Sequence, residues 1–111
     1  MHTPVLKKEV IEYLNPKPNE NFIDCTVGQG GHSLVILEKT APAGKVLGID
    51  WSQEAIENTR RKIQNTEYEN RVILVCDNFS HLKTIAERLN IKPVAGILLV
   101  LGMSSWHLEQ S

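Results

Sequence analysis

The sequence has only two cysteines, Cys25 and Cys76, 51 positions apart and with no Cys-x-x-Cys pair. That leaves no disulfide framework, and no metal site is expected. Each cysteine ends an apolar run, so both are expected to be buried, reduced thiols, as in an intracellular protein. An excess of one charge is also missing. The formal net charge is −1, so no global basic field draws in nucleic acid. The only basic run is Arg60-Arg61-Lys62, expected to be a solvated helix face. No apolar run reaches membrane-spanning length, and residues 1–8, MHTPVLKK, lack the apolar core of a secretory leader. A cytoplasmic chain with no membrane partner is expected. There is no internal repeat and no low-complexity stretch. What remains is ordinary globular composition, 41% apolar and 23% charged over 111 residues, enough for one small domain.

The run 22–33, FIDCTVGQGGHS, organises the rest. It reads as a buried strand, a loop containing Gly28, Gly30 and Gly31, and a helix from His32 to Lys39. A second strand, 46–50, ends in Asp50, twenty residues after Gly30. This is the layout of a nucleotide-binding βαβ unit. The glycines let backbone approach the ligand, and the acid takes ribose hydroxyls. The helix start presents unpaired N–H groups that suit a carboxylate or phosphate.

Around that core the chain predicts a short N-terminal helix begun at Thr3-Pro4, with Leu6, Val10 and Leu14 forming one apolar stripe. A proline-rich loop follows at 15–19. Strands are predicted at 22–26, 46–50, 72–76 and 94–101. The helix after Asp50 has Ser52 as its cap, Ile56 and Ile63 inward, and Glu57 and Arg61 as an i,i+4 pair. The next helix has Ser80 as its cap, with Leu82, Ile85, Ala86 and Leu89 on its apolar face. Alternating strands and helices with buried apolar strands indicate a parallel, doubly wound α/β sheet. Ligands of such sheets sit outside the carboxyl ends of the strands. Gly28 to His32, Asp50, Asp77 to Phe79, and 102–105 are expected to converge there.

The nucleoside is less plain from local motifs. A dinucleotide fingerprint requires glycine where Ser33 stands, which disfavours a nicotinamide-dependent oxidoreductase. Instead Asp24 precedes the Gly-x-Gly loop, a pattern common among S-adenosylmethionine enzymes of this fold. Asp24 either accepts N–H groups of the loop and braces it, or faces a ligand's cationic amine. Phe79 is either a base-stacking ring or a core aromatic under the loop.

In order and spacing, five pieces are together specific: 2–6 HTPVL, 23–33 IDCTVGQGGHS, 48–50 GID, 78–80 NFS and 96–105 GILLVLGMSS. With them the sequence resembles the bacterial small-subunit (16S) rRNA cytosine-N4 methyltransferases, the RsmH or MraW family, over nearly its whole length. The resemblance implies a Rossmann-like methyltransferase fold, incomplete here at about four parallel strands. It also implies S-adenosylmethionine as cofactor, and methylation of the N4 amine of a cytidine in the decoding region of small-subunit rRNA. The partner would be that rRNA or the small ribosomal subunit. By the same resemblance Gly30, Gly31 and His32 contact the cofactor's methionine part, Asp50 holds its ribose and Phe79 lies at its adenine. A solvated histidine at a helix start is the alternative for His32.

The sequence departs from that family in places. Val100 stands where the family carries an acid, and a valine accepts no side-chain hydrogen bond. His107 replaces a glutamine and keeps one polar contact to the cofactor. Ala95 replaces an acid at the start of the fourth strand, away from the site. Family members are much longer. Residues 1–20 are expected to be an N-terminal helix and loop, and residues 21–111 the first part of the methyltransferase domain, as in a truncated gene. The apolar fourth strand would then lie bare at a sheet edge. No residue is assigned a catalytic role; Ser104 and Ser105 are weak candidates. A non-catalytic nucleotide-binding module or inactive remnant is the alternative function.

Overall fold

A computed structural model describes residues 3–27 and 31–99, with side chains from Lys8 onward. Four strands form one parallel sheet: β1 (Asn21–Asp24), β2 (Val46–Asp50), β3 (Val72–Cys76) and β4 (Val94–Leu98). The helices are α1 (Thr3–Leu14), α2 (His32–Lys39), α3 (Gln53–Ile63) and α4 (Leu82–Arg88). The sheet order is β3-β2-β1-β4. The chain moves outward from β1 to β3, then crosses back to place β4 on the other side of β1. The switch point therefore falls between β1 and β4, and in sheets of this kind ligands bind beyond the strands' carboxyl ends at such a point.

Alternation along the strands separates two cores. On one face Ile23, Leu47 and Ile49 pack with Ile85, Ala86 and Ile91. On the other, Phe22 and Val46 pack with Ile11 of α1 and with Ile36 and Leu37 of α2. Helix α1 thus reaches the core through Ile11, with Leu14 beside it, rather than through the four-residue stripe alone. In α3, Ile56 and Ile63 are buried as expected. The expected Glu57–Arg61 pair is replaced: Glu57 meets Arg60 at 3.6 Å and Arg61 donates to Asn58. Basic residues 60–62 are exposed, as a solvated face requires.

Strand boundaries shift where side chains compete with the ladder. β1 stops at Asp24 because its carboxylate accepts the N–H and hydroxyl of Thr26, at 2.8 and 2.6 Å, turning the chain. Asn78, not Ser80, caps the turn before α4, its side chain accepting from the Ser80 N–H at 2.9 Å. Asn15, Asn65 and Asn90, which follow α1, α3 and α4, are in the left-handed region, where asparagine substitutes for glycine. Cys76 is exposed, not buried, because β3 is an outer strand; Cys25 is half-buried, and both are free thiols. Burial, reinforced by the charge of Asp24, pushes the Cys25 thiol up to about 11. Among the described residues no helix is long and apolar enough to cross a membrane.

Candidate functional site

The site is built outward from the ends of β1 and β2. Register pairs Asp24 with Gly48 of β2 and Leu98 of β4, and pairs Asp50 with Cys76. β2 thus continues two residues past β1, placing Asp50 roughly 6–7 Å further along. The ends are tied by backbone: Cys25 N–H donates to Leu98 O at 2.8 Å, and Asp77 N–H to Asp50 O at 3.0 Å. The turns leaving β1, β2 and β3 therefore stand at one edge, as the sequence predicts.

Asp24 is 1% exposed. Its Oδ1 accepts both Thr26 donors and its Oδ2 accepts the Ser33 hydroxyl at 2.5 Å. These are the contacts that a bracing role requires. A buried carboxylate requires such partners; the two Thr26 bonds fix the turn leaving β1, and the Ser33 bond joins the end of β1 to the first turn of α2. Gly31 sits between them at φ 82°, a left-handed conformation that a Cβ would strain. As the N-cap of α2 it offers no side-chain acceptor to the helix's first N–H groups, so those donors suit an anionic group of a ligand. His32 is buried, which excludes the solvated alternative.

Asp50 is partly buried, and its Oδ1 accepts from Ser52 N–H at 2.9 Å. Ser52 in turn accepts from Ala55 N–H at 3.1 Å and caps α3. Phe79 is partly buried and packs against the Ile23 core, so part of its ring belongs to the fold. The turn that carries it is held by Asp77, whose Oδ1 accepts from Asn78 N–H at 2.5 Å and lies 2.9 Å from His81 Nδ1. These contacts hold the Asp77 carboxyl below its ordinary range, the His81 bond contributing most. Nothing in the sequence pattern separates Asp77 and His81 from loop polarity, and sequence reasoning missed the pair.

Gly28, Gly30 and His107 lie outside the described residues, as do Val100 and 102–105. Of the expected residues, the structure places Asp24 at the end of β1, Gly31 and His32 at the start of α2, Asp50 at the end of β2 and Phe79 in the turn after β3. A groove of about 700 Å³ between α1 and α2, lined by Ile11, Val35, Lys8 and Lys39 among others, includes none of them. Among the described residues no group of three or more His, Cys, Asp or Glu side chains is arranged to hold a metal ion.

A parallel sheet wound in this order, with a glycine turn after its first strand and an acid at the end of its second, defines a Rossmann-like fold, and solved methyltransferases have it. A SAM-dependent O-methyltransferase from Thermotoga maritima shares it, with a TM-score of 0.62 and 19% identity over 73% of this chain and 31% of that one. The sequence profile of the MraW methylase family matches residues 1–111, and the chain belongs to that family. The ribosomal RNA small subunit methyltransferase H of Syntrophotalea carbinolica is 44% identical over 97% of this chain and 34% of its own length. The protein of the same name from Heliobacterium mobile is 42% identical over 99% and 35%. The chain spans about a third of the length of these curated relatives.

Proposed function

We propose that this chain is the cofactor-binding part of an S-adenosylmethionine-dependent methyltransferase. Its substrate would be the N4 amine of a cytidine in the decoding region of small-subunit rRNA, met on the rRNA or the small ribosomal subunit in the cytoplasm. The observation that carries the reading is the whole-chain family match, together with Asp24, Gly31, His32 and Asp50 at one sheet edge.

The donor set suits the cofactor. The first turn of α2, which follows Gly31, takes the carboxylate of the methionine part, with Gly30, Gly31 and His32 against it. Asp50 accepts from the ribose hydroxyls, Phe79 borders the adenine, and His107 adds one polar contact. Asp24 and Gly28 serve through the loop, Asp24 by fixing its two ends. The cofactor supplies a methyl group already activated on a sulfonium. The protein's task is then to hold the amine nitrogen in line with that methyl. A cytosine amine is a poor nucleophile because its lone pair is delocalised into the ring, so an acceptor for its N–H groups would help. Val100 offers no such acceptor, and this chain is therefore expected to bind cofactor but turn over little.

On this reading residues 1–20 are an accessory helix and loop. Residues 21–111 are the first part of the methyltransferase domain, and the outer edge of β4 receives whatever extends the sheet.

Calorimetry with S-adenosylhomocysteine and with NAD tests the cofactor. Tighter binding of NAD sinks the assignment. Methylation of rRNA by the chain and by Val100→Asp, read as N4-methylcytidine, tests the rest. Robust turnover by the unaltered chain would refute the role given to Val100.

A further inference from the structure

Thr59 stands inside α3, about two turns after its Ser52 cap, and is half-buried. Threonine is a poor helix former, and a hydroxyl turned back onto the preceding turn does nothing to strengthen a helix. Here the hydroxyl also reaches out of the helix. Its one proton is shared between Ala55 O at 2.9 Å, within α3, and Val27 O at 3.3 Å. Val27 immediately precedes Gly28, and its side chain sits where Gly48 leaves room for it. The carbonyl is therefore held from α3 and the side chain from β2. A cavity of about 80 Å³ lies alongside, lined by Val27 and Gly31 on the two flanks of the glycine turn and by Thr59 and Ile63 of α3. It gives those flanks room to shift once the hydroxyl is gone. Helix α3 is itself anchored, because Ser52 N–H donates to Asp50 Oδ1 at 2.9 Å and the Ser52 side chain caps the helix.

We infer that Thr59 is a positioning residue for the proposed cofactor site: through Val27 O it holds the glycine turn where that turn receives the methionine part of the cofactor. The inference rests on the proposed role of the turn. Thr59 itself touches no ligand. Deleting its hydroxyl frees one end of the turn, and a turn that the ligand must order binds that ligand more weakly. The loss falls on ligands that carry the methionine part. It spares adenosine, whose ribose is assigned to Asp50.

Calorimetry on the full 111-residue chain tests this. Thr59→Val keeps the shape of the side chain and deletes the hydroxyl. It should bind S-adenosylhomocysteine roughly 2- to 12-fold more weakly, the equivalent of one ordinary hydrogen bond. Thr59→Ser, which restores the hydroxyl, should bind it like the parent. Adenosine should bind all three chains alike, and the urea midpoint should stay in place. Unchanged S-adenosylhomocysteine affinity in Thr59→Val, an equal loss for adenosine, or no recovery in Thr59→Ser overturns the positioning role and leaves the cofactor assignment standing. No binding of S-adenosylhomocysteine by the parent chain removes the cofactor assignment and the Thr59 role with it.

Discussion

The Ser33 hydroxyl donates to Asp24 Oδ2 at 2.5 Å, nine positions away in the chain and wholly within the protein. It ties the end of β1 to the first turn of α2. Ser33→Ala leaves a buried carboxylate oxygen without that donor, which should cost about 2 kcal/mol. Urea unfolding should show the loss, while Ser33→Thr, which keeps the hydroxyl, should lose less. If the cofactor reading holds, S-adenosylhomocysteine affinity should fall as well, because the start of α2 is no longer held to β1.

Gly48 lies in the middle of β2, beside the chain leaving β1. A Cβ there would lie 2.7 Å from Val27 Cγ2 and 2.9 Å from Leu74 Cδ2. Val27 is β-branched and stiff, so Gly48→Ala must push it, and the glycine turn that follows, out of place. A destabilisation of about 1–3 kcal/mol is expected. Combining it with Val27→Ala should cost less than the two single changes summed, a coupling readable in a double-mutant cycle. Strict additivity would mean that the contact does not carry the effect.

Much of this arrangement was legible in the sequence. α2, β2 and β3 fall where apolar runs and turn residues place them, because strongly patterned segments leave few alternatives. What was lost lies where a local hydrogen bond or the sheet order intervenes. Thr26 turns β1 early by bonding to Asp24, and Asn78 takes the capping role from Ser80. Cys76 is exposed because strand order, which no local pattern encodes, puts β3 outside. In the site, Asp50 and Gly31 carry recognisable spacing.

Arg71 joins three separate carriers at the start of β3. Its Nε donates to Gly44 O at 2.7 Å, and one terminal nitrogen to Leu37 O at 2.7 Å and Thr40 Oγ1 at 3.1 Å. These bonds satisfy acceptors at the end of α2, far from the ligand edge. Arg71→Ala should therefore lower the urea midpoint by the equivalent of about 2–3 kcal/mol. Cofactor affinity measured on the folded fraction should stay near that of the parent. Arg71→Lys should recover only part, since an ammonium lacks the planar fork.

Asp77 responds to acid in a defined direction. Its folded carboxyl is held below the ordinary value of 3.8, chiefly by His81 and then by Asn78 N–H. The contribution is therefore complete above that ordinary value and is lost as pH falls through the folded one. In His81→Ala the Asp77 carboxyl, followed by NMR, should titrate at higher pH than in the parent. An unmoved titration would show that the 2.9 Å contact does not persist in solution.

The placement of β1 and β2 as the inner pair has a kinetic meaning. Peeling β3 or β4 from the sheet breaks one ladder, whereas freeing Ile23 or Leu47 requires breaking two. Amides of the inner strands should exchange with deuterium through the rarest openings of the molecule, and those of Val94–Leu98 through commoner ones. The roots of Asp24 and Asp50 would then be the last part of the fold to come undone.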